Sequence, residues 1–412
     1  MMGKSAGVLG FVAIGVFAAM IVLPFDGNAR DAHSDSGVDA AGDSSALVTA
    51  TATLMPAATE FSGKLHLPLA MRPAPTPTPT ATVTPTVTPI PTATPAVATV
   101  TPTTAAPTAT VTTTPGADNP NPPANPVKLI FIHHSTGGNW LADPAENGLG
   151  GDLGRALMEN HYFVSAVNYG WTVDGDAIGD RTDIGHWWEW FRGPTSAGIL
   201  AALYGETGKN FGDFGAWPRL ATDPGGENRI VVFKSCFPNS ALQGDPGAAT
   251  PPIASNPLRA QDVWSDAHTV ANAKGIYIDL LPYFRTRQDK LFVVIAAPPL
   301  LDGAWASNAR VFNNWLVNDW LSGYPYQNVA VFDYYNVLTS NGGDPDSNDL
   351  GMASGNHHRW WNGAVQHPQT VASHTAAYPS GDEHPSRAGN EKGIGEFVQV
   401  LNVFYHRWAG QE

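Results

Sequence analysis

Four short stretches of this chain carry side chains that could do chemistry together. His133-His134-Ser135-Thr136-Gly137-Gly138-Asn139-Trp140 closes the apolar run Lys128–His133. A serine followed by two glycines can sit in a tight turn, with its hydroxyl exposed and its own amide free to meet an oxyanion. The same residues are also ordinary loop formers. Tyr169-Gly170-Trp171 offers an unhindered backbone amide at Gly170, or simply a turn. Ser235-Cys236-Phe237-Pro238-Asn239-Ser240 brings an Asn side chain that can donate to developing negative charge or form a turn. Gly381-Asp382-Glu383-His384-Pro385-Ser386-Arg387-Ala388-Gly389 sets His384 beside two carboxylates and before a proline suited to starting a helix. An imidazole of near-neutral pKa steered by a carboxylate is what activation of a serine hydroxyl needs. That chemistry calls for no metal and no cofactor.

These residues can act together only if a scaffold gathers them. Short apolar runs at Lys128–His133, Tyr162–Asn168, Arg229–Lys234, Leu291–Ala296 and Val329–Phe332 read as buried parallel strands. Helical patterns separate them at Leu153–Asn160, within Pro257–Thr286 and at Val311–Leu321. Pro385–Trp408 closes the chain, with Ile394, Phe397, Val398, Leu401 and Phe404 at helical spacing. Such alternation predicts a parallel sheet covered on both faces, whose site lies beyond the carboxyl ends of the strands. All four chemical stretches fall at strand ends or just before the last helix.

Ser after the first strand, Gly after the second, Asn after the third and Asp-x-His-Pro before the terminal helix follow a known block order. Over about residues 127–410 the chain resembles the SGNH (GDSL-like) hydrolase superfamily. The tail GDEHPSRAG is most similar to the last block, and Leu291–Leu301 (LFVVIAAPPLL) to the Pro-ended fourth strand. The resemblance implies an α/β protein with the SGNH hydrolase fold, a flavodoxin-like three-layer α/β/α sandwich whose five parallel strands run 2-1-3-4-5. It implies Ser135 as nucleophile, His384 as base and a carboxylate behind it. It also implies an oxyanion hole of the Ser135 amide, the Gly170 amide and the Asn239 side chain, each worth about 2.7–4 kcal/mol of barrier. Three positions depart from the pattern. The first block has His133-His134-Ser135-Thr136 for Gly-Asp-Ser-Leu, and the third keeps only Asn239. In the last block, Gly381 stands three residues before His384, where the family has Asp. Asp382 is the expected acid, Glu383 the reserve, and a Ser-His dyad the third arrangement.

Other clusters weigh less. His357-His358-Arg359-Trp360-Trp361, with His367 and His374 nearby, matches no metal-ligand spacing. It reads as a loop over the site that offers rings to substrate, so Trp140, Trp171, Trp360 and Trp361 are the expected substrate contacts. Trp187-Trp188-Glu189-Trp190 either stacks on sugars or fills the core. Cys236 lacks a local base and reads as a buried free thiol. Asp344-Pro345-Asp346-Ser347-Asn348-Asp349 lacks the Gly and terminal Glu of a calcium loop and reads as a solvated turn.

Composition sets the outer bounds. All 13 Trp lie from Trp140 to Trp408, so the large apolar core belongs to residues 127–412. A single cysteine excludes an intramolecular disulfide, and a formal net charge of −14 disfavours nucleic acid and anionic membrane surfaces. Lys4 followed by the uncharged stretch Ala6–Phe25 reads as a signal peptide or an uncleaved membrane anchor, residues 1–25. Residues 26–72 are left unassigned. Residues 73–126 are a Pro/Thr tract that reads as a stiff extended spacer or as disorder. The expectation is therefore an exported serine esterase, secreted or tethered to the cell surface, acting on an acylated carbohydrate or other ester, with membrane contact only through the leader. A lipase-like or acyl-transferring hydrolase and a non-catalytic binding module on the same fold are the alternatives.

Overall fold

The computed structural model describes residues 118–339, 352–370 and 375–410. The leader, residues 26–72, most of the Pro/Thr tract, the acidic run at 344–349 and His374 lie outside the described residues. Strands β1 (Val127–Ile132), β2 (Tyr162–Val167), β3 (Ile230–Lys234), β4 (Leu291–Ile295) and β5 (Val329–Phe332) form one sheet in the order β2-β1-β3-β4-β5, all neighbours parallel. Every residue of the five is buried. A strand flanked by helices on both faces has no polar side to show, so these sequences are apolar except for Lys128, Ser165 and Lys234.

Side chains alternate between two cores. Leu129 and Phe131, with Val232, Val293 and Phe332, face one. Ile130 and Ile132, with Phe233, Phe292 and Val294, face the other. In chain order the helices are α1 (Thr136–Leu141), α2 (Leu153–Glu159), α3 (Trp187–Phe191), α4 (Ser196–Gly205), α5 (Val270–Arg285), α6 (Ala306–Asn318), α7 (Tyr334–Val337) and α8 (Arg387–Ala409). Helices α2 and α8 cover the first face through Leu153, Leu157, Phe397 and Leu401. Helices α3 to α6 cover the second through Trp187, Trp190, Phe191, Leu200, Ile276 and Phe312. The result is the three-layer α/β/α sandwich expected from the sequence. A hairpin of β6 (Arg359–Trp361) and β7 (Ala364–Gln366) packs on α8.

Within Pro257–Thr286 the helix is the second half, because α5 starts where the Thr269 side chain accepts the Asn272 amide; the first half is loop. Two expectations change. Residues 118–126, assigned above to the spacer, already lie on the domain. Arg407 holds Asp118 through two 2.7 Å bonds, Asn402 donates to Pro120 O, and the Pro123 carbonyl bonds the His161 ring. Trp140, expected to face substrate, is fully buried. One turn of helix after Ser135 rotates it inward, where it stacks on Tyr334 at 4.6 Å and donates to Asn390 O. Of the Trp187–Trp190 cluster, Trp187 and Trp190 are core, and Trp188 is half-buried beneath the Arg259 guanidinium.

Trp140→Ala is therefore expected to destabilise the domain by about 3–5 kcal/mol, the usual cost of emptying a large aromatic site. The readout is the midpoint of urea denaturation; a midpoint equal to that of the wild type would contradict the burial.

Candidate active site

Ser135 stands at the carboxyl end of β1 and immediately before α1. Its backbone has φ 22° and ψ −85°, a strained conformation for a residue with a side chain. Gly137 makes the turn feasible, since a Cβ there would lie 2.5 Å from the His133 Cβ. His134 ties the turn down from the other side. Its ring bonds Gly179 O and the Thr182 hydroxyl and lies 3.8 Å from the Tyr169 ring, stacked on it.

His384 arrives from the far end of the chain. It sits in a tight reversal between Tyr378 and Ser386, closed by Ser386 N–H to Tyr378 O at 2.7 Å and Ser380 N–H to His384 O at 3.2 Å. The Ser386 side chain then caps α8. Gly381, at the tip, has φ 108°, a region that favours glycine. The residue that follows this glycine, Asp382, brings the carboxylate to the turn.

The two elements meet. Ser135 Oγ and His384 Nε2 are 2.9 Å apart across 249 residues of sequence. Behind the ring, both Asp382 carboxylate oxygens lie 3.1 Å from His384 Nδ1. Desolvation pushes the Asp382 carboxyl up, but bonds from the His384 amide, the Ser380 hydroxyl and the His384 ring outweigh it and hold it below the usual range. Glu383 turns away and accepts the Leu301 amide at 2.6 Å, pinning the loop after β4. Asp382 is thus the acid in place behind the imidazole.

The expected oxyanion hole is not assembled. Asn239 is buried, and its side-chain NH2 donates to Asp183 Oδ1 at 2.6 Å and to Cys236 O at 3.3 Å, while its oxygen accepts the Ile184 amide. With Asp183, which also accepts the Val263 amide, it locks the insertion after β2 onto the loop after β3. The Gly170 amide donates to Asp180 at 2.8 Å. Of the three, only the Ser135 amide has no hydrogen-bond partner among the described residues.

The other expected substrate tryptophans are half-buried and have partners of their own. Trp171 stacks on Trp190 and donates to Glu206. Trp360 and Trp361 ride the β6–β7 hairpin against α8, with the Arg359 guanidinium over Trp361. The histidines beside them anchor this segment to α8 and to the end of β5. His357 pairs with Glu396, His367 pairs with Asp333, and His358 accepts the Asp333 amide while stacking on Phe332. Among the described residues no three His, Cys, Asp or Glu side chains are grouped to hold a metal ion. The aromatics at the site are others. Tyr169 is 54 % exposed on the His134 ring, Phe214 lies beyond it, and Phe237 meets the His384 ring edge-on at 5.0 Å. Tyr169 and Phe237 follow strand ends, which is the only signal the sequence carried for them; Phe214 lies in the insertion between β2 and β3 and had none.

Cys236 is also not as expected. It is half-buried, 3.1 Å from Ser135 Oγ and 3.3 Å from the Thr136 hydroxyl. Burial pushes its thiol up, but the buried Lys234 ammonium and bonds from Ser135 and Thr136 more than offset this, leaving it below the ordinary thiol value. Compared with known proteins, the chain matches no family model, no curated protein and no solved structure.

Burial drives the His134 pKa from 6.5 down to about 4, against the opposing bond to Gly179 O. Between those values the unfolded chain binds a proton that folded His134 refuses. Its contribution to stability is full above pH 6.5 and is lost as pH falls towards 4, by about 3 kcal/mol. Urea denaturation from pH 8 to 4 should show a shallower acid decline in His134→Gln than in the wild type; parallel declines would refute the assignment.

Proposed function

We propose that the domain is a serine ester hydrolase of the SGNH type. The observation that carries this reading is the Ser135 Oγ to His384 Nε2 distance of 2.9 Å, with the Asp382 carboxylate on the opposite ring nitrogen. In this reading His384 takes the Ser135 proton as the hydroxyl attacks an ester carbonyl. It then returns that proton to the leaving alcohol. Water, with His384 again as base, releases the acid from the acyl-enzyme. Asp382 holds the ring with Nε2 facing the serine and favours the imidazolium. The Ser135 amide receives the oxyanion. The Gly170 amide can join it only by giving up its solvent-exposed bond to Asp180.

An acylated carbohydrate is the substrate class we favour. Support comes from Tyr169, whose exposed ring beside the nucleophile offers a flat face for a sugar. A net charge of −14 argues against nucleic acid as partner. Export, with the domain either free or held at the cell surface, is proposed from the leader and the Pro/Thr tract. One observation favours the second reading, a binding module that no longer turns over: the Gly170 and Asn239 donors are already engaged.

A fluorophosphonate probe separates the two readings. Labelling of the wild type that disappears in Ser135→Ala is expected, together with a loss of about a thousandfold or more in ester hydrolysis. Absence of labelling would leave only the binding module. Asp382→Ala is expected to cost about tenfold in kcat, since its carboxylate is 64 % exposed and water screens it. Glu383→Gln should leave kcat within about twofold, because that side chain serves a loop amide. Acetate release from acetylated xylan or pectin, compared with hydrolysis of long-chain esters, tests the substrate class.

A further inference from the structure

The Ser135 hydroxyl has two neighbours: His384 Nε2 at 2.9 Å and Cys236 Sγ at 3.1 Å. A hydroxyl carries one proton and two lone pairs. If the sulfur bears a proton, S–H can donate to Oγ, and the Ser135 proton is left for His384. If the sulfur is a thiolate, it has no proton to give. The only hydrogen between oxygen and sulfur is then the serine's own, and a charged acceptor outcompetes a neutral imidazole for it.

We propose that Cys236 is a positioning residue for Ser135, holding the hydroxyl in line with His384 while it is a thiol and turning it away when it becomes a thiolate. This rests on Ser135 being the nucleophile of the proposed hydrolase. The groups facing the sulfur come from every element around it. Lys234, at the end of β3, is fully buried with its ammonium donating to Ser235 O. From the turn after β1 come Ser135 and the Thr136 hydroxyl and amide. Tyr169, after β2, interacts with it electrostatically, and His384 stands on the far side of the serine. Lys234 is the cation among them and favours the thiolate. A buried lysine two residues before Cys236 has no other use in the proposed reaction. Its position next to the only cysteine of the chain gives the pair a role.

The consequence is an alkaline limit to activity set by the sulfur, beginning below the ordinary thiol range. The test uses the full-length chain and 1-naphthyl acetate, with kcat measured across pH. The wild type is expected to lose activity on an alkaline limb. Its midpoint should match that of the rate of Cys236 alkylation by iodoacetamide, which follows the thiolate and which a single cysteine makes unambiguous. Cys236→Ser, whose hydroxyl still donates but does not ionise in this range, should lose that limb. Cys236→Ala should lose it too, with kcat lowered about tenfold, the worth of one ordinary hydrogen bond, and KM unchanged. An alkaline limb that persists in Cys236→Ser, or a wild-type limb displaced from the thiolate titration, overturns the inference. The titration comparison needs no variant and stands even if a substitution prevents folding. Fluorophosphonate labelling of Ser135 runs in parallel. Labelling with an unchanged limb sinks only the role of Cys236, whereas no labelling sinks the hydrolase reading and this role with it.

Discussion

The hydrogen bond between Ser135 and His384 spans nearly the whole domain in sequence, and most of the architecture exists on either side of it. One partner hangs from the end of the strand next to the sheet edge; the other sits ahead of the last helix. For the two to meet, β1 must keep its register between β2 and β3, and α8 must lie on the same face as α2. The first condition is met by strands buried on both faces, whose side chains alternate between two differently packed cores, so that a one-residue slip would send each set into the wrong core. The second is met by Phe397 and Leu401, which dock α8 on the sheet, and by Asn390, which accepts from Trp140 and Tyr334. The same Trp140 that fails as a substrate contact is therefore what fixes the start of α8 relative to the turn carrying the serine.

Around this bond the polar side chains divide by burial. Asn239 and Asp333 are buried and drawn into dense sets of hydrogen bonds, Asn239 through the half-buried Asp183, that hold insertions against the sheet. Asp382 and Tyr169 are exposed, and the bonds of Asp382 all stay within its own turn, to Ser380 and His384. A buried polar group is costly unless satisfied, so the interior groups cannot stay open for a ligand. The groups free to change partners are those at the rim. This division places the adaptable part of the site at Tyr169, Phe237 and the His384 turn, and makes the interior a rigid support.

The strands and the last helix were legible in the sequence itself, for definite reasons, while the strand order was expected only from the block order that the chain resembles. Runs such as LFVVI can be little else than buried strands, and a His-Pro pair before an amphipathic helix marks its own position. What was not legible depended on rotations and contacts that one-dimensional spacing does not contain. Trp140 looked like a rim residue because it follows the serine closely, but a six-residue helix turns it into the core. Asn239 and Gly170 occupy the expected places, yet Asp183 and Asp180, residues with no motif to mark them, claim their donors. The β6–β7 hairpin was hidden because its aromatic and histidine residues suggest a ligand site, whereas they anchor it to α8 and β5. Cys236 was discounted because its partners, Ser135 and Thr136, are a hundred residues away.

The exposure of Asp382 has a structural counterpart. A carboxylate in water orients an imidazole weakly, because solvent competes for both groups. The His384 ring therefore needs other constraints, and the turn around it supplies them. Its backbone carbonyl is held by the Ser380 amide, its own amide is held by Asp382, and Phe237 packs edge-on against its ring. Glu383 adds a tie to the loop after β4, so the turn is fastened at both ends of the dipeptide that precedes the histidine. Asp382 contributes twice, once to the ring and once to the backbone amide of the same residue. Replacing it by a side chain that restores only the ring contact would leave the turn looser than before, which is why the carboxylate belongs immediately next to Gly381 rather than on a distant strand.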